Sequence, residues 1–279
     1  MTAPTLRPAR TAPVRHGASA PRILVAAARY EAVMASRTAA LWWSVAPMVV
    51  LAALLALMSP PTGTGADPVQ RAGSVAILFN LVTTLGVGFG LTGRLSGHRR
   101  PGLAEVLDAT AGAGAARAVG GFLGSFALAM AVPVAAYLGL VAVTAVEFRS
   151  VATLGAGVVA VLTVLLPGGL ALGAFSVLLG VVAPAALARV VTAAGWVWAT
   201  VSTPWLAPYP TVTGTVLSPL GRYPAAEWLH GSPWLATYGL DGPLRPEVDT
   251  WSALLAVLAP VVAAACFLAL TWIRLARST

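Results

Sequence analysis

The run VGGFLGSFALAMAVPVAAYLGLVAVT, residues 119–144, decides the fold because it holds no charged side chain. About 20 apolar residues are enough for a helix to cross the roughly 30 Å hydrocarbon core of a bilayer. The whole chain is 58% hydrophobic and 9% charged, whereas soluble domains carry about 25% charged residues. The sequence therefore predicts an all-α integral membrane protein.

Six segments are apolar and long enough, or nearly so, to be membrane spans. They are residues 40–58, 73–93, 119–144, 151–181, 186–203 and 252–273. The fourth is longer than the bilayer requires and is interrupted by Pro167, Gly168 and Gly169, which predicts a kink, a tilt or an extension into the cytosol. The fifth is the shortest, and Pro204 follows it directly.

Arginine distribution predicts the orientation of these spans. With a cytoplasmic N-terminus, 13 of the 17 arginines fall on the inner side, and the outer side holds Arg71, Arg149, Arg222 and Arg245. Cytoplasmic loops collect basic residues, so we expect both termini in the cytosol. The chain has no lysine and is rich in Ala, Gly and Val, a composition typical of a GC-rich bacterial genome. The expected location is a bacterial inner membrane.

The remaining segments flank or connect the spans. We expect a disordered cytoplasmic tail over residues 1–21 and a single transmembrane domain over residues 22–279. Within that domain, residues 22–37 place Ile23, Ala27, Tyr30 and Met34 on one helical face, which predicts an amphipathic helix at the inner membrane interface. Residues 204–250 form a long extracellular loop, rich in Trp and Pro, that is predicted to cap the outer mouth or to re-enter the bilayer.

Pairs of glycines four residues apart mark close helix contacts. Small residues at this spacing let two helix backbones approach closely. Packing within one subunit and a seam between two subunits both remain open for these pairs. The glycines are Gly86, Gly90, Gly120, Gly124, Gly169 and Gly173.

Several kinds of chemistry are excluded by the residues present. A P-loop requires a lysine that reaches the nucleotide phosphates, so this chain cannot bind ATP in that way. Cys266 is alone, and the three histidines lie in separate segments; Glu227 with His230 is the sole acid/base candidate. No catalytic site, metal site or cofactor is expected. None of the six predicted spans contains a buried charge, which argues against an ion-coupled carrier, and the net charge of +8 reflects cytoplasmic arginine rather than nucleic-acid binding.

A polar stretch, residues 94–118, separates the second and third spans. On a helix over residues 103–110, the apolar side chains of Leu103, Val106 and Leu107 gather on one side, and Glu105 and Asp108 gather opposite. Such a helix could rest on the membrane domain and present two carboxylates to the cytosol. The alternative is a solvated loop whose arginines only set the topology.

This stretch resembles the cytoplasmic loop of ABC-2-type transporter permeases, in which an arginine precedes Gly-x-x-Glu-x-Leu-x-Ala-Thr-Pro and a basic residue follows. The sequence departs from that pattern at Ala111, where the family has proline. The resemblance implies a coupling helix that docks on a separate ATP-binding subunit. The residues it would assign to coupling are Arg99, Arg100, Gly102, Leu103, Glu105, Val106, Leu107, Asp108, Ala109, Thr110 and Arg117.

The resemblance also implies the function and the partners. The chain would be the permease subunit of an ATP-driven exporter, paired with a second permease subunit and with a P-loop ATPase that binds ATP and Mg. Apolar, uncharged walls favour a hydrophobic or amphipathic cargo, such as a drug-like natural product, a lipid or a lipopeptide. The alternative is a membrane sensor or assembly subunit that transports nothing.

Overall fold

The computed structural model describes residues 19–58, 67–94, 114–202, 211–230 and 244–277. Helices account for 83% of these residues, and this part of the chain contains no strand. In chain order the helices are α1 (Ala20–Ser36), α2 (Ala39–Met58), α3 (Pro68–Leu91), α4 (Gly114–Glu147), α5 (Ala152–Ala160), α6 (Leu166–Val182), α7 (Ala185–Thr200), α8 (Arg222–Trp228) and α9 (Thr250–Ala276). Most of the predicted tail and all of the predicted coupling helix lie outside the described residues.

Five of the described segments are long and apolar enough to cross a membrane: α2, α3, α4, α9 and the continuous segment Ala152–Val182 that contains α5 and α6. This is the architecture expected of a multi-pass membrane protein. The segment predicted as the fifth span is α7, which has only 16 residues. At 1.5 Å per residue α7 is about 24 Å long, shorter than the hydrocarbon core. The predicted count of six spans is therefore not confirmed.

The break predicted at Pro167 in the fourth span takes the form of a π-helical turn. This turn, Val161–Leu165, lies between α5 and α6 and directly precedes the first turn of α6, where Pro167 is located. Proline has no N–H to donate to the carbonyl four residues earlier, and its ring clashes with that carbonyl in a regular α-helix. The wider turn accommodates both effects without ending the helix, because α6 continues to Val182.

Contacts between helix termini define two ends of the bundle. At the Arg94 end, the Arg94 guanidinium donates a 2.9 Å hydrogen bond to the hydroxyl of Thr38, between α1 and α2. At the Arg71 end, Arg71 near the start of α3 lies 3.5 Å from Glu147 at the end of α4. Trp272, near the end of α9, lies beside the first residue of α4. The N-terminal helix and the last turns of α9 are therefore both at the Arg94 end.

Helix α1 packs lengthwise on the first turns of α4. A side chain at Gly120 would overlap the Leu24 carbonyl, and one at Gly124 would overlap the Ala28 carbonyl. These contacts advance by one helical turn on both helices in the same direction, so α1 and α4 run side by side. The glycines are needed here because the α1 backbone occupies the space of a Cβ atom.

Part of the predicted apolar face of α1 is exposed. Tyr30 and Met34, assigned to that face, are 62% and 42% exposed. The face that packs on the bundle contains Glu31, which is buried and lies 3.6 Å from Arg94. The spacing of apolar residues did not predict this ion pair, which lets an acid occupy a buried position. That α1 lies flat in the membrane interface stays a prediction.

Candidate functional site

The loop between α7 and α9 reaches the middle of the bundle at Asn80. This residue lies twelve positions after Pro68 on α3, about 18 Å along the helix, and is fully buried. Its amide nitrogen donates to the carbonyls of Pro219, at 3.0 Å, and Leu220, at 3.2 Å. Its amide oxygen accepts a 2.8 Å hydrogen bond from Thr84. A segment from the loop therefore lies near the midpoint of α3.

Helix α7 ends inside the bundle, at a similar depth. The indole N–H of Trp196 donates a 2.8 Å hydrogen bond to the carbonyl of Leu81, one residue beyond Asn80. Thr200, the last residue of α7, follows Trp196 by one turn. The last four carbonyls of any helix have no partner within the helix, and a membrane provides no water to satisfy them.

The loop segment supplies hydrogen-bond donors for three of those carbonyls. Thr213 donates to Trp198 at 3.0 Å, Ser218 to Ala199 at 2.9 Å and Arg222 to Thr200 at 3.3 Å. We call residues 211–222 the capping segment. Its polar side chains explain how a helix can end inside the bundle.

Arg222 is the charged member of the capping segment and is only 7% exposed. Its position at the C-terminus of α7 is electrostatically favourable, because that end of a helix carries partial negative charge. The sequence argument counted it among the outer arginines and found no buried charge in the spans. The structure adds that Arg222, a residue of the loop, is buried inside the bundle. Charged residues at such depth are rare and mark functional sites by default.

Two glycines allow the capping segment to approach the neighbouring helices. Gly221 has a φ of +76°, which side-chain-bearing residues rarely adopt, and an added Cβ would lie 3.0 Å from the Cα of Val164 in the π-helical turn. A Cβ at Gly168 would overlap the Pro219 carbonyl and lie 2.6 Å from the Asn80 amide nitrogen. The irregular turn of the fourth span thus meets the capping segment at the level of Asn80.

From this depth α8 returns to the Arg71 end. Leu229 after α8 is fully buried against Gly73. His230 then lies 2.8 Å from the carboxylate of Asp67, and this hydrogen bond, with one from the Val69 backbone, lowers the pKa of Asp67. The pair predicted from sequence as an acid/base candidate is separated, because Glu227 accepts a hydrogen bond from Thr250.

The structure places the six glycines singled out in the sequence against helices of the same chain. Added Cβ atoms would contact α2 at Gly86 and Gly90, α1 at Gly120 and Gly124, and α4 at Gly169 and Gly173. Of the residues predicted to couple to an ATPase, Arg117 is in the first turn of α4 and is half-buried. The others, residues 99–110, lie outside the described part of the chain.

Sequence reasoning missed the hydrogen bonds between Asn80 and the loop. It predicted that the loop over residues 204–250 could re-enter the bilayer, but it assigned the loop no partner in a span. What connects them is a contact across about 140 residues, which periodicity cannot detect. No protein-family model matches the chain, and neither the curated proteins nor the solved structures include a match.

Proposed function

We propose that the chain is the permease subunit of an ATP-driven ABC exporter in a bacterial cytoplasmic membrane. The observation that carries the proposal is the end of α7 within the bundle, capped by residues 211–222. Non-helical backbone at membrane depth is tolerated only where it is buried in protein or lines a cavity. In transporters, broken helices of this kind form the substrate site near the membrane centre.

In this proposal α7 and α8 together make the sixth crossing. Gly180, near the end of α6, packs on Gly93 at the Arg94 end, and α7 begins a few residues later. His230, after α8, contacts Asp67 at the opposite end. The chain therefore passes from one end of the bundle to the other between α6 and α9. The arginine bias assigns the Arg94 end, with both termini, to the cytoplasm.

The energy source would be a separate subunit. The chain has no lysine with which to build a P-loop, and its polar stretch between α3 and α4 resembles the coupling loop of ABC-2-type permeases. The described residues on either side of this stretch, Arg94 and the first turn of α4, are both at the proposed cytoplasmic end. Closure of two ATPase subunits, which bind ATP and Mg, would tilt two permease subunits as rigid bodies.

The expected cargo is amphipathic or hydrophobic. The capping segment and α3 provide neutral hydroxyl and amide groups together with the guanidinium of Arg222. Such walls suit a drug-like natural product, a lipid or a lipopeptide that carries a polar group. Among its described residues, the capping segment contains no cluster of acidic residues or histidines of the kind that ion-coupled carriers use.

The experiment is a charge reversal at the proposed coupling helix. Glu105→Arg should abolish ATP-driven transport and reduce co-purification of a P-loop ATPase, because the acidic face would no longer match its docking groove. Glu247→Arg is the matched control, since Glu247 is exposed beyond the Arg71 end. Both variants should reach the membrane in normal amounts.

Two outcomes would contradict the proposal in different ways. Normal transport by a well-expressed Glu105→Arg variant would remove the docking role of that residue. Failure to capture any P-loop ATPase with the unaltered chain, with no cargo-stimulated hydrolysis, would favour the sensor or assembly subunit instead.

A further inference from the structure

The outward face of α1 forms a surface of its own. We call it the α1 surface; it lies opposite the packed face and is open to its surroundings. Val25 and Tyr30 on this surface are 64% and 62% exposed. It consists of Arg22, Val25, Ala26, Arg29, Tyr30 and Val33.

The α1 surface is purely basic. Arg22 and Arg29 are both exposed and lie seven residues apart, so they share one helical face with about 10 Å between their Cα atoms. The sole acid of α1, Glu31, is on the packed side, where it pairs with Arg94. An occupant must therefore be negatively charged.

This charge disfavours two occupants that the chain itself could provide. The N-terminal residues 1–18 contain three arginines and no acid, so they are repelled. A symmetric contact with a second copy would bring the same patch of both copies together and would oppose arginine to arginine.

The surroundings of α1 indicate a membrane surface. The helix is two residues from the start of α2, where Trp42 donates a 2.8 Å hydrogen bond to the carbonyl of Ser36 and Trp43 is exposed. Tryptophans are enriched at the interface between bilayer and water. Arg94, which contacts both Glu31 and Thr38, follows the apolar segment of α3 directly. The C-terminal turns of α1 thus lie at the level where two spans meet the headgroups.

We propose that the α1 surface binds the phosphate groups of anionic phospholipids. Guanidinium groups bind phosphate oxygens through paired hydrogen bonds, and Arg22 and Arg29 present two such groups on one helical face. Tyr30, with an apolar ring and a polar hydroxyl, and the exposed valines fit the boundary between headgroups and acyl chains. This inference does not depend on ATP-driven transport.

The first test is lipid binding by the purified full-length protein, measured by native mass spectrometry during titration with phosphatidylglycerol or phosphatidylcholine. Each arginine near an anionic membrane surface contributes a factor of about five in affinity. Arg22→Gln/Arg29→Gln should therefore weaken phosphatidylglycerol binding roughly 30-fold. Arg22→Lys/Arg29→Lys should largely retain it, because the charge is kept.

The matched control is Arg189→Gln/Arg277→Gln. It removes the same charge from exposed positions on α7 and after α9 at the same end of the bundle. Its phosphatidylglycerol affinity should fall less than that of Arg22→Gln/Arg29→Gln, because these two arginines do not share one helical face. Equal losses in the two glutamine pairs, or equal affinity of the unaltered protein for both lipids, would overturn the proposal.

A second measurement separates a lipid from a protein occupant. In a Cys266→Ser background, a spin label attached through Tyr30→Cys reports whether the α1 surface contacts acyl chains or water in nanodiscs. We expect collisions with dissolved oxygen to exceed those with a water-soluble nickel complex when phosphatidylglycerol is present. A label accessible only to the nickel complex would mean that the surface faces the cytosol and awaits a soluble acidic partner, which overturns the proposal.

Discussion

Replacing Asn80 with alanine should release the capping segment from α3. The change removes the donor for the Pro219 and Leu220 carbonyls and the acceptor for the Thr84 hydroxyl. Side-chain hydrogen bonds in membrane proteins contribute about 0.6 kcal/mol each on average, and leaving a buried polar group without its partner costs about 1–3 kcal/mol. We expect a loss of about 2–3 kcal/mol in total, or roughly 5–10 °C in Tm for a protein of this size.

The assay combines thermal unfolding in detergent with cysteine labelling. In the Cys266→Ser background, Val216→Cys places a reactive group at a buried position of the capping segment. If about half of the lost free energy, about 1–1.5 kcal/mol, applies to local opening, a membrane-impermeant maleimide should label it about 5–13-fold faster once Asn80 is replaced. Thr83→Val is the control, because the buried Thr83 hydroxyl bonds only the carbonyl of Phe79 within its own helix.

One result would refute this reasoning. If Asn80→Ala and Thr83→Val gave the same Tm and the same labelling rate, the two hydrogen bonds to the capping segment would not hold it in place. Its position would then depend on the close packing of Gly168 and Gly221, and the role assigned to Asn80 would have to be abandoned.

Three further changes test other contacts, each read by thermal unfolding. Gly124→Leu should cost about 3 kcal/mol or more, since any side chain there overlaps α1, whereas Gly139→Leu should be nearly neutral, because Gly139 has open space around it. Glu31→Gln or Arg94→Gln alone should lower the free energy of unfolding by about 2–3 kcal/mol. The double variant should lower it by at least 1 kcal/mol less than the sum of the two single effects, because the two groups form an ion pair. The lowered pKa of Asp67 stabilises the fold above about pH 4, and this stabilisation is lost as the pH falls through the lowered pKa. Asp67→Asn should therefore weaken the dependence of Tm on acid pH. A variant with the same dependence of Tm on pH as the unaltered protein would contradict this prediction.

Five spans could be predicted from the sequence because the bilayer imposes their length. Each predicted boundary lies within about five residues of the helix that the structure contains, and the differences have local causes. The second span, for example, was placed from Gly73, but α3 begins at Pro68 because the Asp67 side chain accepts a hydrogen bond from the Val69 backbone. Polar residues such as Arg71 in this first turn lowered the apparent hydrophobicity without interrupting the helix.

The candidate site could be predicted only in fragments. An apolar-window argument assigned residues 186–203 as a span, whereas the helix ends at Thr200 because the capping segment satisfies its last carbonyls. Arg222 was counted on the outer side because it lies in the loop between the fifth and sixth predicted spans, and its burial could not be inferred from that position. The common cause is that the hydrogen bonds that stabilise the interior join residues 15 to 140 positions apart, and local patterns carry no information about such pairs.

The buried arginine also changes which cargo the proposed exporter would favour. Uncharged walls alone would accept a wholly apolar molecule, but the positively charged guanidinium of Arg222 lies at the C-terminus of α7, where it donates a 3.3 Å hydrogen bond to the carbonyl of Thr200. A guanidinium keeps its charge at physiological pH and forms strong hydrogen bonds with carboxylate and phosphate groups. A cargo with an acidic headgroup would complement this charge better than a hydrocarbon. Within the proposed function, an amphipathic cargo is therefore favoured over a purely hydrophobic one, and replacing Arg222 with glutamine should reduce transport of acidic cargo more than of neutral cargo.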